Sequence, residues 1–200
     1  MAYKFMGQDV HHSRHGIIGL GRIGQEVAKR ALGFEMEVVY YDTVRRPEVE
    51  AKMGIVFAPL EELLAEADFI FIHCDLNKPT LYLINERTLS LMKPTAILVN
   101  TSRGPMVDLD ALYRALKDGR LGGAGLDVFE PEPVPADHPI LTLENVVFTP
   151  HLGTSTRGSR IRMAETAARG VTSVLLGEEP EFLLNPEVRQ VWPLRRRSPS

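Results

Sequence analysis

From Gly16 onward, short apolar runs alternate with longer amphipathic stretches. The apolar runs are GIIGL, EVVYY, DFIFIH, AILVN, GAGLDVF and NVVFTP. Between them stand RIGQEVAKRAL, PLEELLAEA, NERTLSLM and LDALYRALKDG. Nearly unbroken apolar character over so few residues suits strands buried on both faces of a parallel sheet, and the intervening stretches carry helical spacing. Strand and helix in alternation predict an α/β chain built on a doubly wound parallel sheet. Helix punctuation agrees with this. Asn85 and Asp108 stand where N-caps belong, Gly119 follows the helix after Asp108 as a stop, and Pro79 and Pro94 fall in connections. One longer helix is expected over 154–176, with Ile161, Ala164, Ala168, Val171 and Leu175 spaced three or four apart.

Composition narrows the classes. Two hundred residues suffice for one well-buried domain. A net charge of -3 gives no electrostatic footprint for nucleic acid, and no apolar run approaches the roughly 20 residues of a membrane-spanning helix. The expected partners are small molecules and further copies of the chain. One cysteine, Cys74, excludes an internal disulfide framework, and the first residues lack the apolar core of a signal peptide. A cytoplasmic location is the expectation. Residues 1–15 read as a disordered or partial leader and 179–200 as a tail, with Arg195, Arg196 and Arg197 a solvated charge run. His11, His12 and His15 in the leader have no cysteine or acidic partner at ligand spacing, so no metal site is expected.

The chemistry-bearing motif nearest the N-terminus is Gly19-Leu20-Gly21-Arg22-Ile23-Gly24. Such a GxGxxG is weak alone, but here it follows a strand and opens a helix. Gly19 would make the tight turn, Gly21 would let the backbone approach a pyrophosphate, and Gly24 would let helix and strand pack closely. The N–H groups of Arg22 and Ile23 would face the phosphates. Asp42 ends the next strand, where an acidic group accepts hydrogen bonds from ribose hydroxyls. Residues 16–178 are therefore read as a Rossmann-type dinucleotide-binding domain. Asp42 argues for NAD, since its charge would repel the 2′-phosphate of NADP; Arg45 and Arg46 lie close enough to argue the other way, and NADP is the less favoured cofactor.

Farther along, VNTSRG, DVFEPEP and TPHLG place an arginine, a glutamate and a histidine after strands, where ligands of open α/β sheets bind. Arg103 could hold a carboxylate through two parallel hydrogen bonds. His151 has the residue type of a proton carrier near neutral pH. Glu132, between Pro131 and Pro133, could orient that imidazole and favour its protonated form.

These stretches, together with GIIGLGRIG, YYD, LDALYRALKDGRLGGAGLDVFEPEP and ENVVFTPHLGTST, resemble the nucleotide-binding domain of the D-isomer-specific 2-hydroxyacid dehydrogenases. The resemblance covers about residues 16–186. It implies NAD-dependent hydride transfer between a 2-hydroxy acid and a 2-oxo acid, with Arg103 on the substrate carboxylate, His151 as acid/base and Glu132 supporting it. The family's spacing from the arginine selects Glu132 over Glu130. The resemblance also implies cofactor contacts at Cys74, Thr101, Ser102, Gly153 and Thr154, and at Asp127 toward the nicotinamide amide. Asp75 departs from the proline more usual at its position. The family's N-terminal catalytic lobe would need about 100 residues before the glycine loop, and 18 residues precede Gly19. A truncated or isolated cofactor domain is expected, with homodimerisation implied by the family. The alternative is a non-catalytic NAD(H)-binding regulatory module.

Overall fold

Strand and helix alternate along the chain as the apolar pattern predicts. The computed structural model describes residues 7–191. Its elements run β1 (Arg14–Ile18), α1 (Arg22–Gly33), β2 (Glu37–Tyr41), α2 (Pro47–Met53), β3 (Val56–Phe57), α3 (Leu60–Glu66), β4 (Phe69–Ile72), α4 (Glu86–Leu89), β5 (Ile97–Asn100), α5 (Leu109–Lys117), β6 (Gly123–Leu126), β7 (Val146–Phe148), α6 (Arg157–Leu176) and α7 (Val188–Val191). The strands form one parallel sheet in the order β3-β2-β1-β4-β5-β6-β7. Two compact units are distinguished, one ending at His151 and containing the sheet, the other beginning at Leu152.

The alternation of side chains along each strand divides the core of the first unit into two. Ile17, Val38 and Tyr40 join Ala28 and Ala31 of α1 on one face. Their neighbours Ile18 and Val39 join Ile70, Ile72, Leu98, Leu112 and Leu116 on the other. Burial on both faces is why these strands read as continuous apolar runs. The helices are set by their buried stripes and caps. In α1 Gly24, Ala28 and Ala31 face inward. In α5 Ala111, Leu112, Ala115 and Leu116 do so, and the Asp108 side chain accepts from Ala111 N at 2.9 Å. Asn85 and Thr88 exchange a capping box at the start of α4.

Two elements escape the apolar pattern for a physical reason. Helix α2 fully buries no residue, and only Val49 and Met53 pack partly against the core, a stripe too short to read; Pro47 starts it and Gly54, at φ +70°, stops it. Strand β3 is a two-residue edge. Strand β1 starts two residues before the expected boundary at Gly16. Its first residue, Arg14, is held by polar contacts, donating its backbone N–H to Asp68 at 2.8 Å and pairing with Glu37 at 3.0 Å.

The second unit carries α6, capped by Thr156, whose hydroxyl accepts from Ser159 N at 3.1 Å, and ended by Gly177 at φ +77°. It starts three residues later than expected. Ile161, Val171 and Leu175 on it are exposed. No helix among the described residues is long and apolar enough to cross a membrane. The arginine run 195–197 lies outside the described residues.

His15 lies in β1 at 4% exposure, its ring 4.6 Å from that of Phe71, and neither ring nitrogen has a hydrogen-bond partner among the described residues. Burial, with His73 nearby as a second cause, lowers its pKa from 6.5 to about 4; burial does the same to His73. A depressed folded-state pKa gives stability that is present above 6.5 and lost as pH falls toward 4, at about 1.4 kcal/mol per pH unit for each histidine. His15→Leu is expected to flatten the fall in unfolding free energy between pH 6.5 and 4 to roughly half its slope. Urea unfolding across that range measures it, and an unchanged slope would remove His15 as a cause.

Candidate functional site

Strand β1 ends in a turn that only glycine can make. Gly19 takes φ +97°, and a Cβ there would stand 2.5 Å from Cys74 N. In the first turn of α1, a Cβ on Gly24 would stand 2.2 Å from Gly19 O. The turn thus lies directly on the end of β4 and on the helix it begins. Gly21 has open space where its Cβ would be, and no side chain caps α1. The first N–H groups of the helix, at Arg22 and Ile23, therefore remain for an anionic ligand.

Asp42 follows β2 and braces this loop. Its Oδ2 accepts from Leu20 N at 2.8 Å, while Oδ1 takes long contacts from Thr43 Oγ1 at 3.3 Å and Val44 N at 3.4 Å. Of the two neighbouring arginines, Arg45 is occupied in a two-pronged pair with Glu50, at 2.9 and 2.8 Å. Arg46 lines the cleft with its Nε 3.9 Å from Asp42 Oδ2.

A cleft of about 440 Å³ opens at this edge, lined by Gly19, Gly21, Arg22, Ile23, Asp42 and Cys74 among others. Gly24 lies beneath it and supports the turn. The bare glycine, the open helix end and the carboxylate at the next strand fit a dinucleotide, with pyrophosphate at the N–H groups and ribose at Asp42. Burial pushes the Cys74 thiol up to about 11, so it stays protonated, its Sγ 3.7 Å from Met106 Sδ. His73, also lining the cleft and held low by burial, is neutral.

The remaining candidates of the first unit lie past the ends of β5, β6 and β7, which are neighbours in the sheet. Thr101 is exposed just beyond β5. Asn100, buried at 1% exposure, organises the loop there: its Oδ1 accepts from Ser102 N at 3.0 Å and Ser102 Oγ at 2.8 Å, and its Nδ2 donates to Arg103 O at 2.9 Å. Arg103 is exposed and donates from Nη1 to Ser102 O at 2.7 Å. Gly104 then packs so closely on the next loop that a Cβ would fall 1.9 Å from Phe129 O.

That next loop starts with Asp127, buried at 5% exposure, whose Oδ1 accepts from the Thr149 hydroxyl. The Asp127 carbonyl accepts from His151 N at 2.9 Å. His151 itself has left-handed backbone, φ +54°, uncommon for a residue with a side chain and characteristic of functional positions. Its Nδ1 lies 2.7 Å from Glu132 Oε1, with both side chains about half exposed. Glu130 turns elsewhere and accepts a hydrogen bond from the Tyr82 hydroxyl, which pushes the Tyr82 pKa up. Gly153 and Thr154 belong to the second unit.

The supports Asn100, Gly104, Thr149 and Tyr82 are absent from the sequence reading. Only Asn100 carries a signal, a polar residue closing the apolar run AILVN. The others act through contacts between segments far apart in the chain.

Residues 2–153 match the family model described as D-isomer specific 2-hydroxyacid dehydrogenase, NAD binding domain. A glyoxylate reductase of Korarchaeum cryptofilum is 50% identical over 188 residues, covering 94% of this chain and 57% of that protein. One of Thermococcus gammatolerans is 51% identical over 187 residues, covering 94% and 56%. The crystal structure of D-lactate dehydrogenase with NAD+ from Lactobacillus jensenii superposes with a TM-score of 0.84 at 32% identity, covering 90% of this chain and 58% of that one. The chain thus spans somewhat more than half the length of the relatives it matches.

Gly24→Ala places a methyl group 2.2 Å from a backbone oxygen, a clash that no side-chain rotation relieves. The helix end must shift away from the turn. NADH affinity is expected to fall at least about tenfold, roughly 1.4 kcal/mol, in a fluorescence titration; unchanged affinity would sink the assignment of this loop to the pyrophosphate.

Proposed function

The chain belongs to the D-isomer-specific 2-hydroxyacid dehydrogenase family, in its NAD-binding domain, and we propose that it serves an NAD-dependent oxidoreductase acting between a small 2-oxo acid and the corresponding 2-hydroxy acid. The observation that carries this reading is the 2.7 Å pair between His151 Nδ1 and Glu132 Oε1, beyond the strand ends that also present Arg103. The names of the relatives, glyoxylate reductase and D-lactate dehydrogenase, support the substrate class.

The nicotinamide, when bound, supplies or takes up the hydride. The residues of this chain do the rest. Arg103 holds the substrate carboxylate through two N–H donors, leaving the oxo group to face His151. Glu132 engages Nδ1 of His151, which fixes the ring and leaves Nε2 as the nitrogen that gives a proton to the carbonyl oxygen in reduction and takes it back in oxidation. Asp127 holds the His151 backbone and, by the family's pattern, meets the nicotinamide amide; Thr101 and Ser102 add cofactor contacts in the same reading. NAD is preferred over NADP because Asp42 stands where a 2′-phosphate would come, and because Arg45 is committed to Glu50. A cytoplasmic homodimer completes the proposal, to be measured by light scattering.

Turnover is tested by NADH oxidation with glyoxylate, hydroxypyruvate and pyruvate. His151→Ala is expected to lower kcat by about 10²–10⁴ with NADH affinity intact. Glu132→Gln should lower kcat while Glu130→Gln leaves it near wild type. A fully active His151→Ala variant would reject the mechanism, and NADH binding without turnover by the wild-type chain would leave it a cofactor-binding half that needs a further lobe or a partner. For the cofactor, NADH is expected to bind more tightly than NADPH. Asp42→Asn, which keeps an oxygen for Leu20 N, should narrow that preference; NADPH binding as well as NADH to the wild type would overturn it.

A further inference from the structure

His11 and His12 have only Asp9 as an acidic neighbour in the sequence, and the coenzyme cleft does not use them. The fold supplies the missing partner. Strands β1 and β2 pair from Arg14 and Glu37 onward, and Glu37 N donates to Ser13 O at 3.0 Å. The turn between α1 and β2 therefore lies beside the approach to β1. Both His12, at φ +60°, and Glu35, at φ +56°, take left-handed backbone that curls the two segments toward each other. As a result His11 Nε2 and His12 Nε2 each lie 3.9 Å from the same oxygen, Glu35 Oε2, and the two rings are 3.7 Å apart.

We propose that His11, His12 and Glu35 form a binding site for a divalent transition-metal ion of the zinc class. One ligand atom from each residue falls within a 4.8 Å span. Metal bonds of about 2.0–2.1 Å bring tetrahedral ligands to roughly 3.4 Å of each other, so exposed side chains need to close by only about half an ångström at the 3.9 Å contacts. The Nδ1 of His11 lies 3.2 Å from the Phe34 carbonyl oxygen. Donation to that oxygen puts the ring proton on Nδ1 and turns the Nε2 lone pair to the site, the arrangement usual for metal-bound imidazole. Two imidazoles and a carboxylate favour zinc, nickel or copper over magnesium or calcium, and three protein ligands leave a position for water. The site stands at the amino-terminal edge of β1 and β2, opposite the edge that bears the glycine loop. There the ion acts as a clip between the approach to β1 and the α1–β2 turn, with no part in hydride transfer.

The test is zinc chloride titrated into the chain without an affinity tag, read by calorimetry with thermal unfolding alongside and magnesium chloride as the comparison ion. One zinc per chain and a raised Tm are expected, with NADH affinity unaffected. Glu35→Gln, and separately His11→Gln combined with His12→Asn, should each weaken zinc binding at least about tenfold and abolish the Tm rise. Asparagine tolerates the left-handed backbone at position 12, so the double variant keeps its fold, as retained NADH binding would verify. No zinc binding by the wild type, binding retained by the double variant, or equal binding of magnesium would overturn the site. Undiminished binding by Glu35→Gln would overturn the three-ligand set.

Discussion

A parallel sheet delivers the carboxyl end of every strand to one edge, and the candidate chemistry of the first unit is gathered there. Gly19 follows β1, Asp42 follows β2, Cys74 follows β4, Arg103 follows β5, Asp127 and Glu132 follow β6, and His151 follows β7. Residues spread across most of the domain thus meet without any need for sequence proximity. The sheet order reverses direction between β1 and β4, and the crevice at such a switch is where open α/β sheets bind ligands.

What the sheet brings near, backbone contacts then fix. The Gly19 turn rests on Cys74, Gly24 rests on Gly19, and Gly104 rests on Phe129, each at a distance that excludes a methyl group. Loops joined in this way cannot shift singly. Asn100 and Asp127 extend the same logic with hydrogen bonds, linking the Arg103 loop to the loop after β6 and that loop to His151. The imidazole and guanidinium are exposed, yet their backbones are held by some of the most buried polar groups of the domain.

The fold was legible because burial on both faces of a parallel sheet leaves unbroken apolar runs, which no surface element imitates. Helix α2 was not legible, since two partly buried residues, Val49 and Met53, make too short a stripe, and β3 is too short to have a period. The glycine loop and Asp42 could be read because their local context, strand then turn then helix, is written in adjacent residues. The choice between Glu130 and Glu132 could not be made from composition, both being glutamates before prolines. It rested on family spacing, and the geometry now separates them: one faces His151 and the other Tyr82. Glu35 beside His11 and His12 was out of reach for a different reason, because strand pairing alone brings a helix-exit turn beside the residues before β1.

Asp42 joins two duties on one carboxylate in the proposed function: one oxygen clamps the glycine loop through Leu20 N, and the same group is the one proposed to meet the ribose. On that reading architecture and cofactor choice are inherited together. A lineage that came to use the phosphorylated coenzyme by discarding this residue would loosen its own loop at the same step. The accessible route for drift runs through neighbours instead, through Thr43 and the partners that restrain Arg45 and Arg46, where charge can change while the clamp stays closed.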